Sequence, residues 1–168
     1  MVVSDNPSEL LTIVTRQEKD LTFSHFSNED AYQIGTAIKA AAEAAGRSVV
    51  ISIAKGGETV FFHAMDSIKP INLHWLNRKI RTATLYRCSS YTVGLRQKLN
   101  GGGFADSGLD PALYAGVGGC FPVVVRGTGF VGTIAVSGME QFEDHQAVVD
   151  AVSAYLGINT VSVLASAQ

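Results

Sequence analysis

Charge is scarce in this chain. Asp, Glu, Lys and Arg make up 17% of its 168 residues, against about 25% in an average globular protein, while hydrophobic residues reach 46%. So apolar a chain cannot stay extended in water and must fold around a core, and its length suits one domain. A net charge of −2 excludes nucleic acid as a bulk electrostatic partner, because neutralising phosphates takes a basic surface. No stretch approaches the roughly 18 consecutive apolar residues of a membrane span. MVVSDNPSELL lacks the basic and apolar regions of a secretory signal. Two cysteines, Cys88 and Cys120, stand without CxxC spacing, and no two histidines form HxxxH, which excludes a disulfide scaffold and a dedicated zinc site. A reducing cytoplasm is the expected location. With no repeat, low-complexity tract or linker, residues 1–168 read as a single domain with an N-terminal helical extension over about residues 1–26.

The few charges are unevenly placed. From Ser67 to Ala105 stand seven basic residues (Lys69, Arg78, Lys79, Arg81, Arg87, Arg96, Lys98) and no acid; from Gly101 onward one basic residue, Arg126, faces six acids. Such segregation points to a local anion site, to a basic face that meets an acidic one in another subunit, or to a solvated helix face.

Hydrophobic spacing and punctuation give the expected elements. Pro7 opens a helix to about Lys19, and Ser27 or Asn28 caps a second that Gly46 stops. SVVISIAKGGETVFFHAM reads as a hairpin turning at Gly56-Gly57. Leu73 to Arg87 and Ser90 to Leu99 read as helices that carry the basic block. FPVVVRGTGFVGTIAVSG is a second hairpin, Glu140 to Leu156 a last helix, and Thr160 to Leu164 an edge strand. Paired hairpins among helices predict an α+β fold with a mainly antiparallel sheet.

Gly127 to Gly132 spells GxGxxG, but a strand follows it where a dinucleotide site needs a helix, and Gly101-Gly102-Gly103 lacks the GK[ST] ending of a phosphate loop. No nucleotide is expected. The helix over 73–87 has the most chemistry. His74, Arg78 and Arg81 form one stripe; Trp75, Lys79, Thr82 and Tyr86 form its neighbour; Leu73, Leu76, Ile80 and Ala83 face the core. A planar, anionic, largely apolar ligand would find aromatic faces, cations and an imidazole there. Equally, Trp75 would serve as the buried anchor of a subunit interface. His63, at a strand end before Met65 and Asp66, either enters a pocket at the sheet edge or packs in the strand. His145 falls on the apolar stripe of the last helix, and Asp144 beside it reads as a first-turn acid serving the helix dipole. Cys120 reads as a small buried hydrophobe rather than a nucleophile based on His145.

Met65-Asp66, Lys79-x-x-Thr82-Ala83-x-x-Tyr86, Ser89-Ser90, Gly118-Gly119-x-x-Pro122, Val131-Gly132-x-Ile134-x-Val136-Ser137-Gly138 and Asp144 resemble the heme-degrading-domain family of GlcG-like and HbpS-like proteins over about residues 48–157. Asn72-x-x-Trp75-x-x-Arg78-Lys79 and the N-terminal helix look most like a small cytosolic branch, in which the family's MDG becomes Met65-Asp66-Ser67. The resemblance implies a profilin-like three-layer α/β/α sandwich, assembly into homo-oligomers, and heme or tetrapyrrole binding in some relatives. On that basis the candidate ligand-binding residues are His74, Trp75, Arg78, Lys79, Thr82, Tyr86, His63 and Asp66, with His74 or His63 as candidate iron ligand. The alternative reading is a non-catalytic homo-oligomeric interaction protein. No catalytic constellation stands out.

Overall fold

The computed structural model describes residues 1–164. Its elements run α1 (Pro7–Asp20), α2 (Asn28–Ala44), β1 (Val50–Lys55), β2 (Glu58–Ala64), α3 (Pro70–Tyr86), α4 (Ser90–Asn100), β3 (Cys120–Val125), β4 (Gly129–Ser137) and α5 (Gln141–Leu156). Capping accounts for the helix starts. Asn6 accepts from Ser8 N, and Ser27 and Asp30 form a reciprocal capping box. α3 begins three residues before the predicted Leu73 because Pro70, lacking an N–H, suits the first turn, and Asn72 Oδ1 accepts from Lys69 N at 3.0 Å.

The sheet has the order β2-β1-β4-β3 and every pairing is antiparallel. Alternation sorts its side chains. Val49, Ile51, Ile53, Phe121, Val123, Ile134 and Val136 face α2 and α5, whereas Val50, Cys120 and Ala135 face α3. Helices therefore cover both faces, giving an α+β sandwich of three layers. α1 packs on α4 beside the β3 end.

Gly127 and Gly129 take positive φ in the β3–β4 turn, which is what the GxGxxG lettering encodes. The expected edge strand over Thr160 to Leu164 is absent from the sheet. Leu164 makes one isolated bridge with Val2, and the outer edge of β3 is taken by Phe23, which donates to Val124 O and accepts from Arg126 N. Other bonds hold the displaced segment: Gln17 donates to Val161 O, Gln146 accepts from Val163 N, and Val163 O accepts from Val3 N.

Candidate functional site

α3 lies across the sheet so that Leu76, Lys79, Thr82 and Ala83 are buried and Trp75 and Tyr86 are exposed. The stripe read as one cationic and aromatic surface is thus divided. Lys79 points inward, only 3% exposed, and its ammonium donates to Asp144 Oδ2 at 2.7 Å and to Val136 O at 3.2 Å. Asp144, 1% exposed in the first turn of α5, also accepts from Met139 N through Oδ1. Its surroundings contain opposing effects on the proton. Burial pushes the carboxyl up to about 6, and the Lys79 charge and backbone N–H groups only partly oppose that rise.

The glycines of the quoted motifs make this approach possible. A Cβ on Gly119, whose φ is +126°, would lie 2.6 Å from Lys79 Nζ and 3.0 Å from Asp144 Cβ, and one on Gly118 would collide with the Gln141 carbonyl. Lys79, Gly118-Gly119, Val136 to Gly138 and Asp144, dispersed in sequence, meet at one point.

Above the pair lies an open cleft of about 410 Å³, within the usual range of about 300–1,000 Å³ for small-ligand sites. Ile71, Asn72 and Trp75 form one wall, Val117 and Ser137 to Gln141 the others, and Lys79 and Asp144 the floor. Arg78 stacks on Trp75 with its guanidinium carbon 4.3 Å from the ring centroid, and it is pinned by bonds to the carbonyls of Pro111 and Tyr114. The guanidinium therefore braces one face of an indole that lines the cleft.

Of the predicted site residues, Trp75 and Lys79 line this cleft and Arg78 braces it. His74 is exposed on α3 beside Trp75. Thr82 is buried, donating to Arg78 O and accepting from Ala115 N, so it anchors the loop before β3. Tyr86 lines a separate cavity with Arg96 and Asn100. His63 and Asp66 line another with Lys39 and Glu43. Among the described residues no group of three His, Cys, Asp or Glu could hold a metal ion.

Sequence reasoning missed the role of Asp144. The helix-dipole reading explained an acid at that position, and nothing local tied it to a lysine 65 positions earlier. The one available signal was that both belong to the same family pattern.

The remaining candidates are buried. Cys120 and His145 lie on opposite faces of the sheet, the thiol among α3 residues and the imidazole against Phe121 and Tyr91. Burial pushes the Cys120 thiol up to about 12 and the Cys88 thiol up to about 11, so neither is a ready nucleophile. His145 Nε2 lies 2.8 Å from Gln17 Oε1, an acceptor, which assigns the proton to Nε2 and leaves Nδ1 without a partner among the described residues. Burial, then the Lys79 charge, lower its pKa to about 3.

Comparison with known proteins agrees with this architecture. Residues 26–153 match the family model "Haem degrading protein HbpS-like", beginning just past α1. A UPF0303 protein of Serratia proteamaculans is 36% identical over 94% of this chain and 99% of its own length. One of Streptomyces avermitilis is 40% identical over 83% and 86%. Among solved structures, the Ybr137w protein superposes with a TM-score of 0.80 at 26% identity, covering 94% of this chain and 98% of its own. HbpS superposes with 0.64 at 26%, covering 79% and 91%. The PduOC:heme complex, at 19% identity, shares the fold, with a TM-score of 0.65 over 80% of this chain and 97% of its own. With the family model matched over most of its length and the Serratia relative covered over 99% of its own, the chain belongs to the HbpS-like haem degrading protein family.

Proposed function

We propose that this protein is a cytoplasmic homo-oligomer that binds haem or a related tetrapyrrole at the Trp75 cleft. The observation that carries this reading is the fixed indole wall, braced by Arg78, above a floor that holds Lys79. Family membership supports it, as does the haem held by the structurally similar PduOC. The residues suit the group in part. Trp75 offers a planar apolar face, and Arg78 or Lys79 a cation for a propionate. A cleft of about 410 Å³ would take one edge of the macrocycle, and His74, exposed on α3 beside Trp75, would be the candidate imidazole for the iron. A second copy would cover Ile71, 54% exposed, and Trp75, 37% exposed. Hemin titration of the purified chain should give a shifted, saturable Soret band that His74→Ala alters. An unchanged spectrum at micromolar hemin sinks the proposal.

The exposed apolar residues of α3, Ile71, Trp75 and Leu85, also favour a second reading, a non-catalytic oligomer assembled through this helix. Light scattering after gel filtration tests it, and a monomer mass removes it.

A further inference from the structure

Three donors sit on a lysine ammonium, and the Lys79 bonds use two of them, to Asp144 Oδ2 and Val136 O. No protein acceptor among the described residues takes the third, yet the amine is nearly fully buried at the floor of the cleft. The third is therefore available to an oxygen that reaches the amine through the cleft, and a charge-assisted bond there would be among the stronger ones a ligand could make. Asp144 is differently placed. Its oxygens already accept from Lys79 and Met139, so it has less to offer a ligand. The wall beside the amine is the flat indole of Trp75, with Ile71, Val117 and Met139 supplying further apolar surface and Ser137 a hydroxyl.

We propose that the third ammonium proton of Lys79 is a carboxylate-recognition point, and that the cleft selects planar, largely apolar compounds bearing a carboxylate at one edge. This deepens the tetrapyrrole reading and rests on it for the location of the site. It also decides between the two cations left open there: Arg78 is held by Pro111 and Tyr114 and braces the indole, while Lys79 receives the anion. Asp144 then acts in two ways. It positions the ammonium and, as the adjacent negative charge, weakens the affinity for an incoming carboxylate. Glu140, exposed at the rim, opposes an anion more weakly because water screens it.

Opposite effects of the two partners separate this role from a merely structural one. Binding of 2-naphthoate, followed by calorimetry and by the fluorescence of Trp75, the single tryptophan, should exceed that of uncharged 2-naphthalenemethanol. Lys79→Met should lower naphthoate affinity about tenfold or more, the loss of one charge-assisted bond, and Asp144→Asn should raise it. If the ion pair matters only for folding, both variants weaken binding together. Asp144→Asn alone therefore decides the matter should Lys79→Met not fold, since unchanged or weaker binding by the folded Asn variant overturns the proposal. Hemin and its dimethyl ester supply the second arm. Hemin binding that is indifferent to esterification and to these variants overturns carboxylate recognition while leaving the tetrapyrrole reading intact. Naphthoate binding with the predicted signs but no hemin binding keeps the recognition point and removes the tetrapyrrole.

Discussion

Replacing Lys79 by Met should destabilise the fold far more than replacing the whole pair. Both groups are nearly inaccessible, and they are 2.7 Å apart. Without the ammonium, the Asp144 carboxylate keeps the backbone N–H of Met139 but has no counter-charge. Breaking a buried pair in this way costs about 3–5 kcal/mol, a large share of the 5–15 kcal/mol that holds a typical domain together. Lys79→Met/Asp144→Asn removes both charges and retains an oxygen for the Met139 N–H, so it should lie within about 2 kcal/mol of the parent, with a coupling energy of at least about 2 kcal/mol. The sign of the pH dependence follows from the raised Asp144 pKa. A carboxyl that holds its proton more tightly when folded favours the folded state at low pH, and that contribution is lost as pH rises from about 4 through about 6. Lys79→Met should therefore be weakest at pH 8 and recover at pH 5, where Asp144 takes up a proton. Urea denaturation of the four proteins at both pH values measures this. A Lys79→Met variant within about 1 kcal/mol of the parent at pH 8 would show that the buried charge is compensated elsewhere, and the reasoning would fail.

Other perturbations test separate parts of the structure. His145 is held neutral, with its pKa lowered from 6.5 to about 3, so the stability it contributes is present above 6.5 and lost as pH falls toward 3. Asp144 acts in the opposite sense between about 4 and 6, which should leave the parent protein's stability nearly flat there. His145→Gln, whose amide can still donate to Gln17, should unmask a gain on acidification of order 1 kcal/mol per pH unit in denaturation midpoints, and a flat profile would contradict it. Gly119→Ala should prevent folding or cost several kcal/mol, because at positive φ a methyl would strike the Val136 carbonyl oxygen as well as Lys79 Nζ, whereas Gly57→Ala in the open β1–β2 turn should cost about 1 kcal/mol; equal melting temperatures would refute the contrast. Thr82→Val should leave the buried Ala115 N–H unpaired and lower stability by about 1–3 kcal/mol, measured by thermal unfolding.

Element types were legible because each rests on local chemistry. Ser27 with Asp30, Pro70, Gly56-Gly57 and Gly101 act within a few residues of themselves, so the five helices and both hairpins could be placed to within a few positions. The edge strand over Thr160 to Leu164 could not be judged in this way. Its alternation suited a strand, but Phe23 already occupied the outer edge of β3, a competition between segments about 140 residues apart. The site divided on the same principle. Helical spacing put Trp75, Lys79, Thr82 and Tyr86 on one stripe, but a helix period does not say how wide the buried arc is. Lys79 belongs to the buried side because Asp144 meets it there, and a counter-charge on another element leaves no mark in the spacing around either residue.

That buried charge also links the family pattern to the cleft. A lysine enclosed this far could be exchanged for a well-packed apolar residue, as many buried pairs can, if its only task were stability. Here the exchange would also need an apolar side chain shaped to the tight enclosure at Gly118 and Gly119, whose missing side chains let the β3 entrance and α5 close around the ammonium. The lysine, the acid and the two glycines are therefore one device, and its exposed side is the floor of the Trp75 cleft. If the device serves a ligand, the third ammonium proton of Lys79 is the point of contact, and the opposite responses of Lys79 and Asp144 variants to a carboxylate are the decisive measurement.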